Sequence, residues 1–406
     1  MTKKTFSFGP ATLVTAAFIG PGTITAASKA GAHFGYALLW ALVFSVIATI
    51  ILQEMTARLA VVGQTGLGET IRKQFKHPIK KAFAIILVVS AIIIGNAAYE
   101  GGNISGASLG LKALFNDMTT ESGFDPFALM IGIAAFLLLW TGSYTFIEKA
   151  IILLVLLMSL SFLVTFIISS PNMGQLFKGM FIPSLPSGST LTVIALIGTT
   201  VVPYNLFLHA SSVSKKWQKP EQLKEARQDL YLSIPVGGLI SIAIVSTATV
   251  AFFDRQLSLN NAADLALSLE PLFGVSAKYF MAVGLFAAGI SSAITAPLAS
   301  AYALSGLLNL SPSMKSFSFR FIWIGILVSG VIISSLGFKP INVIWFAQIA
   351  NGILLPIIAL FLLWIMNQKF LGEYRNNLMQ NILGAAVILV TLLLSARSLS
   401  AAFNLI

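Results

Sequence analysis

An all-α integral membrane fold is predicted for this chain, with about eleven transmembrane helices arranged as two inverted repeats of five and an extra helix at the end. Three observations predict it. Of 406 residues, 57% are hydrophobic and only 10% are charged. Mean hydropathy is +0.89, which is more apolar surface than a water-soluble chain of this length can cover. Apolar runs of roughly 20 residues, long enough to cross a bilayer, recur along the whole length, and two of them, the first and the sixth, are interrupted by a proline among small or polar residues.

In chain order the runs place helices near 10–31, 36–62, 80–113, 127–142, 145–169, 188–211, 230–253, 276–307, 317–337, 341–367 and 379–404. One transmembrane domain is expected over 1–406, with a first repeat at about 8–169, a second at about 186–367 and the extra helix at about 379–404. The lead Met1-Thr2-Lys3-Lys4 is positive, but no small-residue cleavage site follows it, so it does not read as a signal peptide. Cysteine is absent, which removes disulfides and thiolate metal sites from consideration.

The net charge of +11 would suit a nucleic-acid binder, but its placement argues for topology instead. Basic residues gather in alternate loops: Arg72, Lys73, Lys76, Lys80 and Lys81; then Lys215, Lys216, Lys219, Lys224 and Arg227; then Lys315 and Arg320; then Lys369 and Arg375. The loops between carry Asp117, Glu121, Asp125, Asp254, Asp264 and Glu270. The positive-inside rule then puts the N-terminus in the cytoplasm and, with an odd span count, the C-terminus outside a plasma or inner membrane. No nucleic-acid partner is expected, and the lipid bilayer is the surface the basic loops face.

The first span breaks at Gly20-Pro21-Gly22-Thr23. Proline has no N–H with which to continue the preceding half-helix, and the flanking glycines tolerate the turn. At membrane depth an exposed backbone group costs several kcal/mol (roughly,), so such a break is tolerated only where it lines a buried or wet cavity. Carbonyls of Phe18, Ile19 and Gly20 and amides of Gly22, Thr23 and Ile24 would then face each other with opposite partial charge. The sixth span repeats the pattern at Thr199-Thr200-Val201-Val202-Pro203-Tyr204-Asn205. A proline kink alone often only bends a membrane helix. Two breaks in corresponding spans point instead to an inverted-repeat secondary transporter with its site between them.

Three segments, Ala30-Gly31-Ala32-His33-Phe34-Gly35-Tyr36, Lys178-Gly179-Met180-Phe181-Ile182-Pro183-Ser184-Leu185-Pro186-Ser187-Gly188 and Val202-Pro203-Tyr204-Asn205-Leu206-Phe207-Leu208-His209, occur here in the order they have in a known family. Through them and the first break, the chain resembles the Nramp family of divalent-metal transporters over nearly its full length. The resemblance implies alternating access and a substrate site between the first and sixth spans. By position it assigns substrate contact to Gly20, Gly22, Thr23, Thr199, Val202, Tyr204, Asn205 and Gln348, and a coupling or proton route to Glu100, His209 and Asn96.

The departures from the family fall at the metal ligands. Its first-span motif is Asp-Pro-Gly-Asn and its sixth-span motif Met-Pro-His-Asn; the binding Asp, Asn and Met are here Gly20, Thr23 and Val202. The carboxylate and the soft sulfur are both gone. A partly dehydrated divalent cation needs charged oxygen ligands, or soft ones for a transition metal. Their loss corresponds to several kcal/mol (a rough estimate,), or about a thousandfold in affinity, so a transition-metal substrate is not expected and no metal-binding residue is assigned.

The remaining ionisable and polar residues each admit two readings. Glu100 is the one deeply placed carboxylate, since Glu54 lies beside Arg58 towards the cytoplasmic end of the second span. An intramembrane acid is functional by default, so Glu100 serves as a proton relay or as a helix–helix hydrogen-bonding group. The family's Asp one turn before it is Ala97. Lys29 attracts anions to the site or snorkels to the interface. Ser291, Ser292 and Thr295 of the eighth span form a sodium site or serve helix packing. Asn351 adds a second amide near Gln348, and Tyr204 replaces a family histidine.

The expected function is therefore secondary active transport of a small ion coupled to H⁺ or Na⁺, with bicarbonate as the candidate substrate because the pocket is polar and free of carboxylate. A divalent cation, Mg²⁺ carrying its water shell or Mn²⁺, is the alternative, and a non-transporting receptor of the same fold is a third. An enzyme is not expected: cysteine is absent, the three histidines His33, His77 and His209 lie in separate segments, and no paired carboxylates occur in the spans. No cofactor is expected, and the unit is expected to be a monomer.

Overall fold

The computed structural model describes residues 9–12, 15, 19–115, 124–141, 145–259 and 262–402. Met1 to Lys4, Phe18, Asp117, Glu121 and the ends expected at 142 and 403–404 lie outside the described residues. Among the described residues all regular structure is helical.

Among the described residues nine helices are long and apolar enough to cross a membrane. The shorter apolar helix Pro126–Thr141 and the broken first span, resumed as Pro21–Phe34, bring the spans to the eleven expected. The second span is Leu39–Gly63, the third Pro78–Phe115 and the fifth Thr145–Ile168. The sixth is Thr190–Thr200 and Pro203–Lys216, the eighth Ala277–Leu308, the ninth Phe317–Ser334, the tenth Pro340–Ile365 and the eleventh Leu378–Ala402.

Two boundaries differ from expectation for one physical reason. The seventh span starts at Leu223 rather than near 230, and the sixth runs to Lys216. Both additions are polar turns that hydropathy alone leaves out, yet they are amphipathic: Leu223, Ala226 and Leu230 are buried at helical spacing while Lys224 and Glu225 are exposed. Two short helices between spans, Leu67–Gln74 and Met173–Phe181, were not foreseen. The chain after the second of them is tied to the start of the second span: Trp40 Nε1 donates to the Ser184 carbonyl at 2.8 Å, and Ser184 Oγ donates to the Ala37 carbonyl at 3.1 Å.

The third span, 38 residues long, is the central post and packs against the eighth, ninth and tenth spans. Its Gly106 lies against the ring of Pro21, so a side chain there would displace the first break. Gly198 of the sixth span brings its backbone onto the Gln348 carbonyl and the Gly352 amide of the tenth, an approach that a Cβ would prevent. These contacts fix the two breaks relative to the third and tenth spans.

Several charged groups near the ends of the spans are paired. Glu54 accepts from Arg58 at 3.0 Å and from Arg227 of the seventh span at 2.6 Å. Asp125 accepts from Ser108 Oγ at 2.5 Å and pairs with Lys112 at 3.1 Å. Asp229 of the seventh span caps the start of the first: Ala11 N donates to its carboxylate at 2.8 Å, and Thr12 Oγ1 lies 2.9 Å from Ser233 Oγ. In these three places the burial of charge is offset by a partner in hydrogen-bond range.

Candidate ion site at the two helix breaks

The half-helix after the first break has Gly20 as its extended N-cap and Pro21 at its first position. The half-helix after the sixth break repeats this with Val202 and Pro203. Neither cap residue donates or accepts a side-chain capping bond. Both helices therefore begin, at buried positions, with their positive dipole ends uncapped by side chains.

The structure brings several expected site residues together in pairs. Thr23 Oγ1 and Thr199 Oγ1 lie 2.7 Å apart, joining the half-helix after the first break to the one before the sixth. The Gln348 side-chain amide rests over Gly22, filling the place a Cβ would take. It also donates from Nε2 to the Ile344 carbonyl at 3.2 Å, which aligns the amide along its own helix. Ser292 Oγ lies 3.2 Å from the Cβ position of Gly20, so the eighth span faces the break through this hydroxyl. Tyr204 meets Tyr99 of the third span edge-on, with ring centroids 5.4 Å apart.

Uncommitted polar atoms are concentrated on the sixth and tenth spans. Tyr204 Oη, both amide atoms of Asn205, both ring nitrogens of His209, Gln348 Oε1 and both amide atoms of Asn351 are buried without a hydrogen-bond partner among the described residues. Buried groups of this kind cost about 1–3 kcal/mol each when left unmet, so an accumulation of them on two facing helices marks a place built to meet a polar ligand or water. Tyr99 stands beside this group through its contact with Tyr204. Tyr99 escaped notice because an aromatic in an apolar span reads as core; its one signal was its place in the polar run Asn96 to Asn103.

Other expected residues stand apart from the breaks. Glu100 is fully buried, accepts from Asn103 Nδ2 at 3.2 Å through one oxygen and has no partner for the other; it forms no ion pair among the described residues. It packs on Gly330 of the ninth span, where no side chain would fit. Asn96 donates to Ser300 Oγ at 2.5 Å, joining the third and eighth spans. Thr295 Oγ1 donates to the Ser291 carbonyl within its own helix, and Ser291 lines a neighbouring apolar cavity of about 490 Å³ with Ile19 and Val155. Only Ser292 of the three hydroxyls is shown against the break. The Lys29 ammonium lies 4.4 Å above the Trp345 ring and 3.4 Å from Asn342 Oδ1, against the start of the tenth span.

The family profile described as Natural resistance-associated macrophage protein-like, Nramp, matches residues 11–401. The chain belongs to the Nramp family. Among Nramp relatives it is 29% identical over 399 residues to the divalent metal cation transporter MntH of Yersinia pestis (strain Pestoides F), covering 96% of this chain and 93% of that one. It is 27% identical over 399 residues, with the same coverage, to MntH of Yersinia enterocolitica. In fold it is similar to the Eremococcus coleocola manganese transporter (TM-score 0.72, 21% identity, 97% of this chain and 86% of that one). It is also similar to Mhp1, a nucleobase-cation-symport-1 family transporter in a closed conformation (TM-score 0.60, 16% identity, 98% and 93%). The inverted-repeat fold with broken first and sixth spans is thus the fold of this chain.

Within this Nramp fold the breaks carry Gly20, Thr23 and Val202, which offer neither a carboxylate nor a sulfur. Among the described residues no group of three or more His, Asp or Glu side chains is placed to hold a metal ion. What the breaks offer is neutral: an amide over Gly22, a phenol, a second amide and helix N-termini.

Proposed function

We propose that this chain is a secondary transporter that moves a small monovalent oxyanion, bicarbonate being the best-matched class, by alternating access around the two breaks. The observation that carries this reading is the neutral polar set of Tyr204 Oη, the Asn205 amide and Gln348 Oε1, without hydrogen-bond partners among the described residues, beside two uncapped helix starts. Bicarbonate has one O–H to donate and two oxygens that share a single negative charge. Gln348 Oε1 can accept the first, while the Asn205 amide and the Tyr204 hydroxyl donate to the second. The helix dipoles add favourable potential for an anion and unfavourable potential for a cation.

A divalent cation is the second reading, favoured by the names of the Yersinia relatives and of the Eremococcus structure. Such an ion would bind with most of its water shell, since two charges in a carboxylate-free site are otherwise unmatched. Coupling to H⁺ is assigned to Glu100 and His209, and coupling to Na⁺, if used, to Ser292 facing the first break. The distribution of basic loops supports a cytoplasmic N-terminus, and the chain is taken to work as a monomer.

Flux into proteoliposomes separates the two readings. External bicarbonate, and not chloride, should speed the internal pH change; saturable Mn²⁺ or Mg²⁺ uptake without a bicarbonate response would overturn the anion reading. Glu100→Gln should abolish the dependence of uptake on a proton gradient, and an unchanged dependence would leave Glu100 a packing group of the third and ninth spans.

A further inference from the structure

A cavity of about 510 Å³ opens between the second, seventh and eleventh spans, on the face that carries the basic loops. One wall is charged, formed by Glu54 and Arg227; the other is apolar, formed by Ile50, Ile51 and Leu383, with Tyr231 beside them. None of these residues belongs to the helix breaks.

The charges on that wall do not balance. Glu54 is one carboxylate serving two guanidiniums, with Arg58 Nη2 at 3.0 Å and with Arg227 Nε at 3.0 Å and Nη2 at 2.6 Å. Arg58 is 2% exposed, and its remaining donors are largely used within the protein, on the Tyr374 carbonyl, Asn376 Oδ1 and Gln380 Oε1. Arg227 differs: its side chain is 37% exposed, and among the described residues its Nη1 has no partner. One positive charge is left at the mouth of an apolar slot. The apolar side faces outward, with Tyr231 50% and Leu383 36% exposed, and in a chain of this class that surface meets lipid.

We propose that this cavity binds an anionic phospholipid, with its phosphate on Arg227 and an acyl chain along Ile50, Ile51 and Leu383. A phosphate accepts from a guanidinium in fork geometry, and a lipid also supplies the apolar surface that the second wall requires. A free phosphate shares the first interaction only, and a zwitterionic lipid brings no net charge to answer Arg227. Bound there, the lipid would bridge the seventh and eleventh spans around the Glu54 centre, stabilising the folded state in proportion to its occupancy.

Thermal unfolding of the full chain in detergent tests this, titrated in separate arms with phosphatidylglycerol, phosphatidylcholine and inorganic phosphate. Phosphatidylglycerol should raise Tm by several degrees, and the other two by much less (on the order of a degree,). Arg227→Gln should remove the selectivity for phosphatidylglycerol. Leu383→Trp, which fills the slot and leaves the charges in place, should remove the shift itself, and it decides the matter if the Arg227 variant does not fold. Equal shifts from the two lipids, an equal shift from inorganic phosphate, or a phosphatidylglycerol shift that survives Leu383→Trp would each overturn the proposal.

Discussion

Pro21 and Pro203 each restart a helix inside a membrane span, and each follows an extended residue with no side-chain cap, yet the two breaks are closed by different means. The first is sealed by packing. Pro21 sits on Gly106, the Gln348 amide covers Gly22, Ser292 stands beside Gly20 and Thr23 is bound to Thr199. The sixth keeps polar atoms uncommitted, on Tyr204 and Asn205. The uncommitted polar atoms thus lie on the sixth and tenth spans, while the first break is held by packing. The difference shows that two breaks of the same backbone design can be closed by different neighbours: at Gly20 the space beside the backbone faces the Ser292 hydroxyl, and at Gly22 it is filled by the Gln348 amide.

Restoring ligands to both breaks should have the largest effect. Gly20→Asp with Val202→Met should create transition-metal binding detectable by calorimetry, about a thousandfold above the unmodified chain. Ser292 must yield by a few tenths of an ångström, because the new Cβ would lie 3.2 Å from its Oγ. Tight metal binding by the unmodified chain would sink the account of the breaks given above.

Removing the recognition group from the sixth break comes next. Asn205→Leu should lower bicarbonate flux by about a hundredfold, the kind of loss seen where a site hydrogen-bonds its substrate. Stability should hold or rise, since a buried unpartnered amide is replaced by an apolar group. A large fall in Tm with flux retained would make Asn205 structural and dissolve the contrast between the breaks.

At the first break the expected loss is of stability. Thr23→Val and Thr199→Val should each cost about 1 kcal/mol in unfolding measurements, and the double variant less than the sum, as for one shared hydrogen bond. Additive losses would mean that the 2.7 Å contact does not couple the two spans. The smallest effect is expected at the approach to the site. Lys29→Gln should reduce anion flux a few-fold (roughly,) at low ionic strength and less in high salt; a reduction that salt leaves untouched would point to lost packing on Trp345 instead.

Most of the architecture was legible in the sequence because membrane spans are written locally, as apolar runs of fixed length. Boundaries were missed where a helix continues past the apolar run as a polar, amphipathic turn, as from Leu223 to Asp229. Both breaks were legible for the same local reason, since proline and glycine act on their own backbone. Relations across the chain were not. That Thr23 would meet Thr199, that Gln348 would rest over Gly22, or that Lys29 would lie on Trp345 depends on how the two repeats are laid against each other. Glu100 was correctly singled out as a buried acid, but its packing on Gly330 of the ninth span could not be read from residues 230 positions apart in sequence.

The carboxylate shared by two arginines also bears on how the protein is made. The second span leaves the ribosome long before the seventh, so Glu54 and Arg58 must enter the membrane while Arg227 is not yet synthesised. Their spacing of four residues on one helix lets them neutralise each other at once, at 3.0 Å, within a 25-residue apolar segment. Arg227 joins a pair that is already formed. An Arg58→Ala chain would instead present an unpaired acid to the bilayer at the earliest stage of assembly, so its defect should appear as failed insertion of the second span in a co-translational assay, before any loss of transport could be measured.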